Sequence, residues 1–121
     1  MKVPTEFGYS VDGGNPIVVT MWGELDLYSA PKLADAIGEL IRRGHQEVAL
    51  DLGAVEFMDS TGVRVLVGVF EALRDVDGQL LLQAASAPVR RVLALTGLDR
   101  LLVLPDTADL PPRAAESRGP R

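Results

Sequence analysis

A chain of 121 residues can bury one hydrophobic core but is short for two that would each be independently stable. With 47 % hydrophobic and 24 % charged residues it has apolar surface to bury, which excludes a disordered chain, and with no cysteine it can form neither a disulfide framework nor a thiolate metal site. The formal charge is −5, and because residues 111–121 hold three arginines and one glutamate, residues 1–110 carry −7, an unfavourable balance for nonspecific attraction to a phosphate backbone.

Along the chain, Gly13-Gly14-Asn15 is a turn signal between Phe7–Val11 and the β-branched run Ile17–Trp22, which predicts an N-terminal hairpin. Ser29-Ala30-Pro31 reads as a serine cap followed by a first-turn proline. Leu33, Ile37, Leu40 and Ile41 then make one apolar helical stripe that stops at Arg42-Arg43-Gly44. Glu47–Leu52 alternates polar and apolar residues and is expected to be a strand, with Val55–Met58 leading out of it. A second helix should begin at Asp59 or Ser60, bury Val63, Leu66, Val67, Phe70 and Leu73, and end at Asp77-Gly78. Gln79–Ala84 is a further strand. A third helix follows Ser86, with Val89, Val92 and Leu93 inward and Gly97 as its stop; Leu101–Leu104 is expected to be a short last strand. Strands alternating with helices predict an α/β fold, with a mixed central sheet opened by the hairpin and helices packed on it. Residues 1–110 form the expected domain and residues 111–121, rich in proline and without periodicity, a disordered tail.

Catalytic chemistry finds little to work with. His45 is the sole histidine and sits beside a glycine past a helix end, so neither a metal site nor a serine–histidine pair with Ser60 or Ser29 is expected. No phosphate-binding glycine loop of the nucleotide-binding kinds is present. The chain start lacks a signal-peptide apolar region and no apolar run approaches a membrane span, so a cytoplasmic protein is expected. Asp59-Ser60-Thr61-Gly62 supports two readings. In the first, Asp59 or Ser60 caps a helix and does nothing else. In the second, the Ser60 hydroxyl at a helix N-terminus accepts a phosphoryl group, which would meet free amides there and act on a docked partner rather than on folding.

Gly23-Glu24-Leu25-Asp26-Leu27-Tyr28-Ser29-Ala30-Pro31, Phe57-Met58-Asp59-Ser60-Thr61-Gly62-Val63 and Thr96-Gly97-Leu98 resemble, in order and spacing, three motifs of the bacterial anti-sigma factor antagonists with the STAS fold, especially those of the general stress response. The resemblance implies a non-enzymatic, cofactor-free regulator of transcription. It implies Ser60 as phosphoacceptor, with Thr61 as second candidate. The implied partners are an anti-sigma factor serine kinase of the histidine-kinase-like ATPase type and a metal-dependent serine phosphatase. Unphosphorylated protein would bind the kinase and free a sigma factor; phosphorylation would end the binding. Glu24, Asp26, Tyr28, Ser29, Asp59, Ser60, Thr61, Gly62 and Arg64 are implied as the partner-binding face. Asp26 can also be read as a turn residue at a strand end, and Gly62 as allowing close approach of a partner or of the neighbouring loop. Arg64 departs from the family, which often has a small residue there; four positions after Ser60, it either pairs with phosphoserine or an acidic group of the kinase, or only solubilises. Related STAS domains also serve as scaffold or sensor subunits of stress-signalling assemblies, the alternative function class.

Overall fold

The computed structural model describes residues 8–100. Strand β1 (Gly8–Asp12) pairs antiparallel with β2 (Ile17–Leu25), which pairs in parallel with β3 (Glu47–Met58), itself parallel to β4 (Gln79–Ala85), giving a mixed sheet in the order β1-β2-β3-β4. Helix α1 (Ala30–Arg42) connects β2 to β3, α2 (Ser60–Asp75) connects β3 to β4, and α3 (Ala87–Thr96) follows β4. Two successive right-handed crossovers that advance the same way across a sheet place α1 and α2 on one face.

That face holds the core. Val19, Met21 and Leu25 of β2 and Leu50, Leu52, Val55 and Met58 of β3 join Leu33 and Ile37 of α1, Leu66, Val69 and Leu73 of α2, and Val89 and Leu93 of α3 in a single buried cluster. Alternation sends Trp22 and Phe57 to the opposite face, where both stay exposed. The charged residues of the strands are all acidic (Asp12, Glu24, Glu47, Asp51 and Glu56), whereas the basic residues among those described lie on the helices or at their ends.

The hairpin, three helices and two later strands match the sequence expectation in kind, with three corrections. First, β2 does not stop at Trp22 but continues to Leu25. The sequence shows β3 as a strand plus a lead-out because two extra residues are accommodated against β2, at the register shifts between Thr20 and Trp22 and between Gly23 and Glu24. Second, the buried stripe of α2 is Gly62, Leu66, Val69 and Leu73, so Val63, Val67 and Phe70 lie at its flank, half-buried. A glycine at the stripe's first position gives no apolar signal. Third, Ile41 and Val92 are likewise flanking rather than fully buried. Gly97 ends α3 with φ 79°, the left-handed cap expected of it. The predicted strand at Leu101–Leu104 and the predicted tail at 111–121 lie outside the described residues.

The shifted stripe has a measurable consequence. Val69→Ala should lower unfolding stability by about 2 kcal/mol, and Val67→Ala by less than half of that, in parallel urea titrations. Equal losses would restore the stripe read from the sequence.

Candidate functional site

The parallel strands β2 and β3 end side by side, Leu25 opposite Met58, and the chain leaves each toward a helix start. The Asp59 amide donates to the Leu25 carbonyl at 3.2 Å, which ties the entry of α2 to the end of β2. Asp59, extended at φ −104° and ψ −171°, is the cap: its Oδ1 accepts from the Thr61 amide at 2.8 Å and the Gly62 amide at 3.3 Å. The Val63 amide goes to the Asp59 carbonyl at 3.2 Å. The free amides expected to receive a phosphate are therefore already taken by Asp59.

Ser60 is the first residue of α2, exposed, and its hydroxyl makes no hydrogen bond among the described residues. Thr61 is half-buried. Gly62 is buried, and a Cβ built there would stand 2.6 Å from Met58 Cγ and 3.0 Å from both Leu25 Cγ and Leu25 O. Of its two expected uses, close approach of the neighbouring segment is the one the packing shows.

Across from α2, the turn after β2 is closed by its own polar groups. Asp26 Oδ1 accepts from the Tyr28 amide at 3.0 Å and the Ser29 amide at 3.1 Å, and the Asp26 carbonyl accepts from Ala30 at 2.8 Å. Ser29 Oγ accepts from the Asp26 amide at 2.9 Å and gives its one proton to the Glu24 carbonyl at 2.5 Å, so its 3.2 Å approach to Asp26 Oδ1 is not a second full bond. Ser29 was expected to cap α1 and to face a partner. It stands at the N-cap position and its carbonyl accepts from Lys32 and Leu33, but its side chain is buried and its hydroxyl makes no cap bond. The Ser29 amide, above all, holds the Asp26 carboxyl below the ordinary carboxylate range; partial burial pushes the other way, and the Tyr28 amide adds to the lowering. The turn-residue reading of Asp26 is therefore correct in itself, and the same turn fixes what lies at its tip.

That tip is apolar. Tyr28 is 81 % exposed and Leu27 63 %, and Phe57, beside Glu24 in the register of β2 and β3, is 46 % exposed. Leu27 and Phe57 belong to the site without having been singled out from the sequence. The signal available was an apolar pair inside a turn, and alternation against the buried Met58. Glu24 is half-buried and contributes its carbonyl, and Arg64 lies exposed one helical turn beyond Ser60.

Histidine chemistry is remote from this site. His45 precedes β3 and Ser60 follows it, so the 12-residue strand separates them by roughly 35–40 Å. His45 lines instead a polar cleft at the other end of the sheet with Asn15, Glu47, Asp77 and Gly78. Among the described residues no group of three or more His, Asp or Glu side chains is placed to hold a metal ion, and no helix is long and apolar enough to cross a membrane.

An exposed hydroxyl, exposed apolar residues and a closed acidic turn thus share one end of a one-sided α/β domain. Residues 10–110 match the STAS domain family, and the chain belongs to that family. The anti-sigma-B factor antagonist of Staphylococcus epidermidis is 34 % identical over 84 residues, which cover 69 % of this chain and 78 % of the relative. The crystal structure of an anti-sigma factor antagonist from Mycobacterium paratuberculosis superimposes with a TM-score of 0.76 at 33 % identity, covering 90 % of this chain and 93 % of that one. The Bacillus cell fate determinant SpoIIAA, solved in its phosphorylated form, shares the fold with a TM-score of 0.65 at 23 % identity, over 84 % of this chain and 94 % of that one.

Two measurements probe the site's construction. Gly62→Ala should lower stability by about 1–3 kcal/mol through overpacking, whereas Gly68→Ala, in open space on the same helix, should raise it by about 0.5–1 kcal/mol. A folded-state carboxyl that is harder to protonate stabilises the protein above the ordinary aspartate range and loses that contribution as pH falls through it. Asp26→Asn should therefore be less stable than the wild type at pH 7, with the difference shrinking below about pH 4. A pH-independent difference would assign the effect to geometry alone.

Proposed function

We propose that this protein is an anti-sigma factor antagonist whose unphosphorylated form binds an anti-sigma factor serine kinase of the histidine-kinase-like ATPase type, freeing a sigma factor, and that phosphorylation of Ser60 ends the binding. The observation that carries this reading is the state of the Ser60 hydroxyl: exposed and unbonded among the described residues, at the end of the sheet where Leu27, Tyr28 and Phe57 are exposed as well. The other serines of this region differ. Ser29 is committed to the Glu24 carbonyl and Ser86 to the Val55 carbonyl. The names of the antagonists at 33 and 34 % identity support the same class.

In the transfer, Ser60 Oγ bonds to the γ-phosphorus of ATP, the bond to the ADP oxygen breaks, and the hydroxyl proton passes to a base of the kinase. The chain itself is a substrate and ligand, not a catalyst. Exposed Tyr28 and Leu27 supply apolar area for docking, and the phosphate adds about two negative charges next to it. Desolvating those charges against an apolar or acidic partner surface opposes binding. A metal-dependent serine phosphatase restores the hydroxyl by hydrolysis.

Incubation with the cognate anti-sigma kinase and ATP, followed by mass spectrometry, should place one phosphate on Ser60 and none on Ser60→Ala. Incorporation that persists in Ser60→Ala would move the site, with Thr61 next in line. Phosphorylation should weaken kinase binding by about tenfold or more, and Tyr28→Ala should weaken binding of the unphosphorylated form.

A further inference from the structure

We propose that Arg64 holds the phosphoryl group of phosphorylated Ser60, so that the modified state is stabilised by a side chain one helical turn downstream and not by the helix's own amides. This rests on the reading of Ser60 as phosphoacceptor.

A phosphate on the first residue of a helix ordinarily finds unsatisfied amides. Here those of Thr61 and Gly62 donate to Asp59 Oδ1 and that of Val63 to the Asp59 carbonyl, which leaves the amide of Ser60 itself. One N–H cannot satisfy three phosphate oxygens, and the Asp59 carboxylate next to it repels them. The acidic groups of the neighbouring strand end and turn, Glu24 and Asp26, add to that repulsion. The phosphoryl group is therefore turned outward, away from the cap.

Outward lies Arg64. Side chains four apart on a helix are neighbours, and Cα–Cβ bonds tilt toward the helix N-terminus, so a long side chain at position 64 leans over the turn that carries Ser60. Arg64 is exposed and forms no hydrogen bond or ion pair among the described residues, so nothing there competes for it. Four other arginines are engaged, Arg42 and Arg43 with Glu39, Arg90 with the Ala85 carbonyl, and Arg74 over the Phe70 ring, while Arg91 and Arg100 lie on α3 and beyond it, away from α2 in the chain. A guanidinium fork matches phosphate oxygens in pairs.

The test uses the full chain with phosphoserine genetically encoded at position 60, with arginine, alanine or glutamine at position 64, and follows the phosphate resonance by ³¹P NMR against pH. A cation beside the phosphate favours the dianion. The second phosphate pKa should therefore be lower with Arg64 than in Arg64→Ala or Arg64→Gln, by about half a unit or more, and the difference should shrink in high salt. An identical pKa in all three overturns the proposal. So does an unmoved pKa with weaker kinase binding of unphosphorylated Arg64→Ala, which would make Arg64 a docking residue. Kinase affinity measured on the same samples separates this from the broader reading: phosphorylated protein that binds as tightly as the unmodified chain overturns the switch, whereas an unmoved pKa overturns the role of Arg64 alone.

Discussion

The amide of Asp59 reaches the carbonyl of Leu25 across 3.2 Å, and around this bond Met58, Leu25 and Gly62 are packed with no room for an added methyl group. Two segments far apart in the chain, the turn at Asp26–Ser29 and the helix start at Ser60, are thereby fixed against each other. Parallel pairing of β2 with β3 brings their ends together, the bulges let the longer strand keep pace with the shorter, and the glycine lets the helix descend onto the pair. Without any one of these, the Ser60 hydroxyl and the exposed residues of the turn would not be brought to the same end of the sheet.

Because this junction is dense, the site separates what is rigid from what is available. Asp59, Ser29 and Gly62 are consumed internally, as cap, turn closure and packing contact. Ser60, Tyr28, Leu27 and Phe57 are left to solvent. A chemical change at Ser60 thus alters the exposed set while the internal set keeps its hydrogen bonds. This is why a regulatory role through surface recognition follows more naturally than one through unfolding.

The helices were legible in the sequence because period, caps and stops agreed, as at Gly97, and the motif around Ser60 was legible from its residues and order. Other features depended on information that no local window contains. The full length of β3 was hidden by its bulges, which exist only relative to β2. The inner face of α2 was read one position off because Gly62, the residue that approaches closest, has no side chain to mark it. Ser29 had the composition of a cap, but its hydroxyl found the Glu24 carbonyl first, a contact set by the path of the turn. Asp59 shows the converse: its capping was foreseeable, yet the consequence that the amides would be occupied required distances.

The strands carry only acidic charges, whereas α1 and α2 balance Asp35, Glu39, Glu71 and Asp75 against Lys32, Arg42, Arg64 and Arg74, so net negative charge is concentrated in the sheet. A charged partner diffusing nearby feels that charge before it feels a contact, within about a Debye length of 8–10 Å. The site lies at the end of that sheet, where strands give way to helix starts. A phosphate at Ser60 would add to the negative charge there, and so would change how often a charged partner arrives as well as how long it stays.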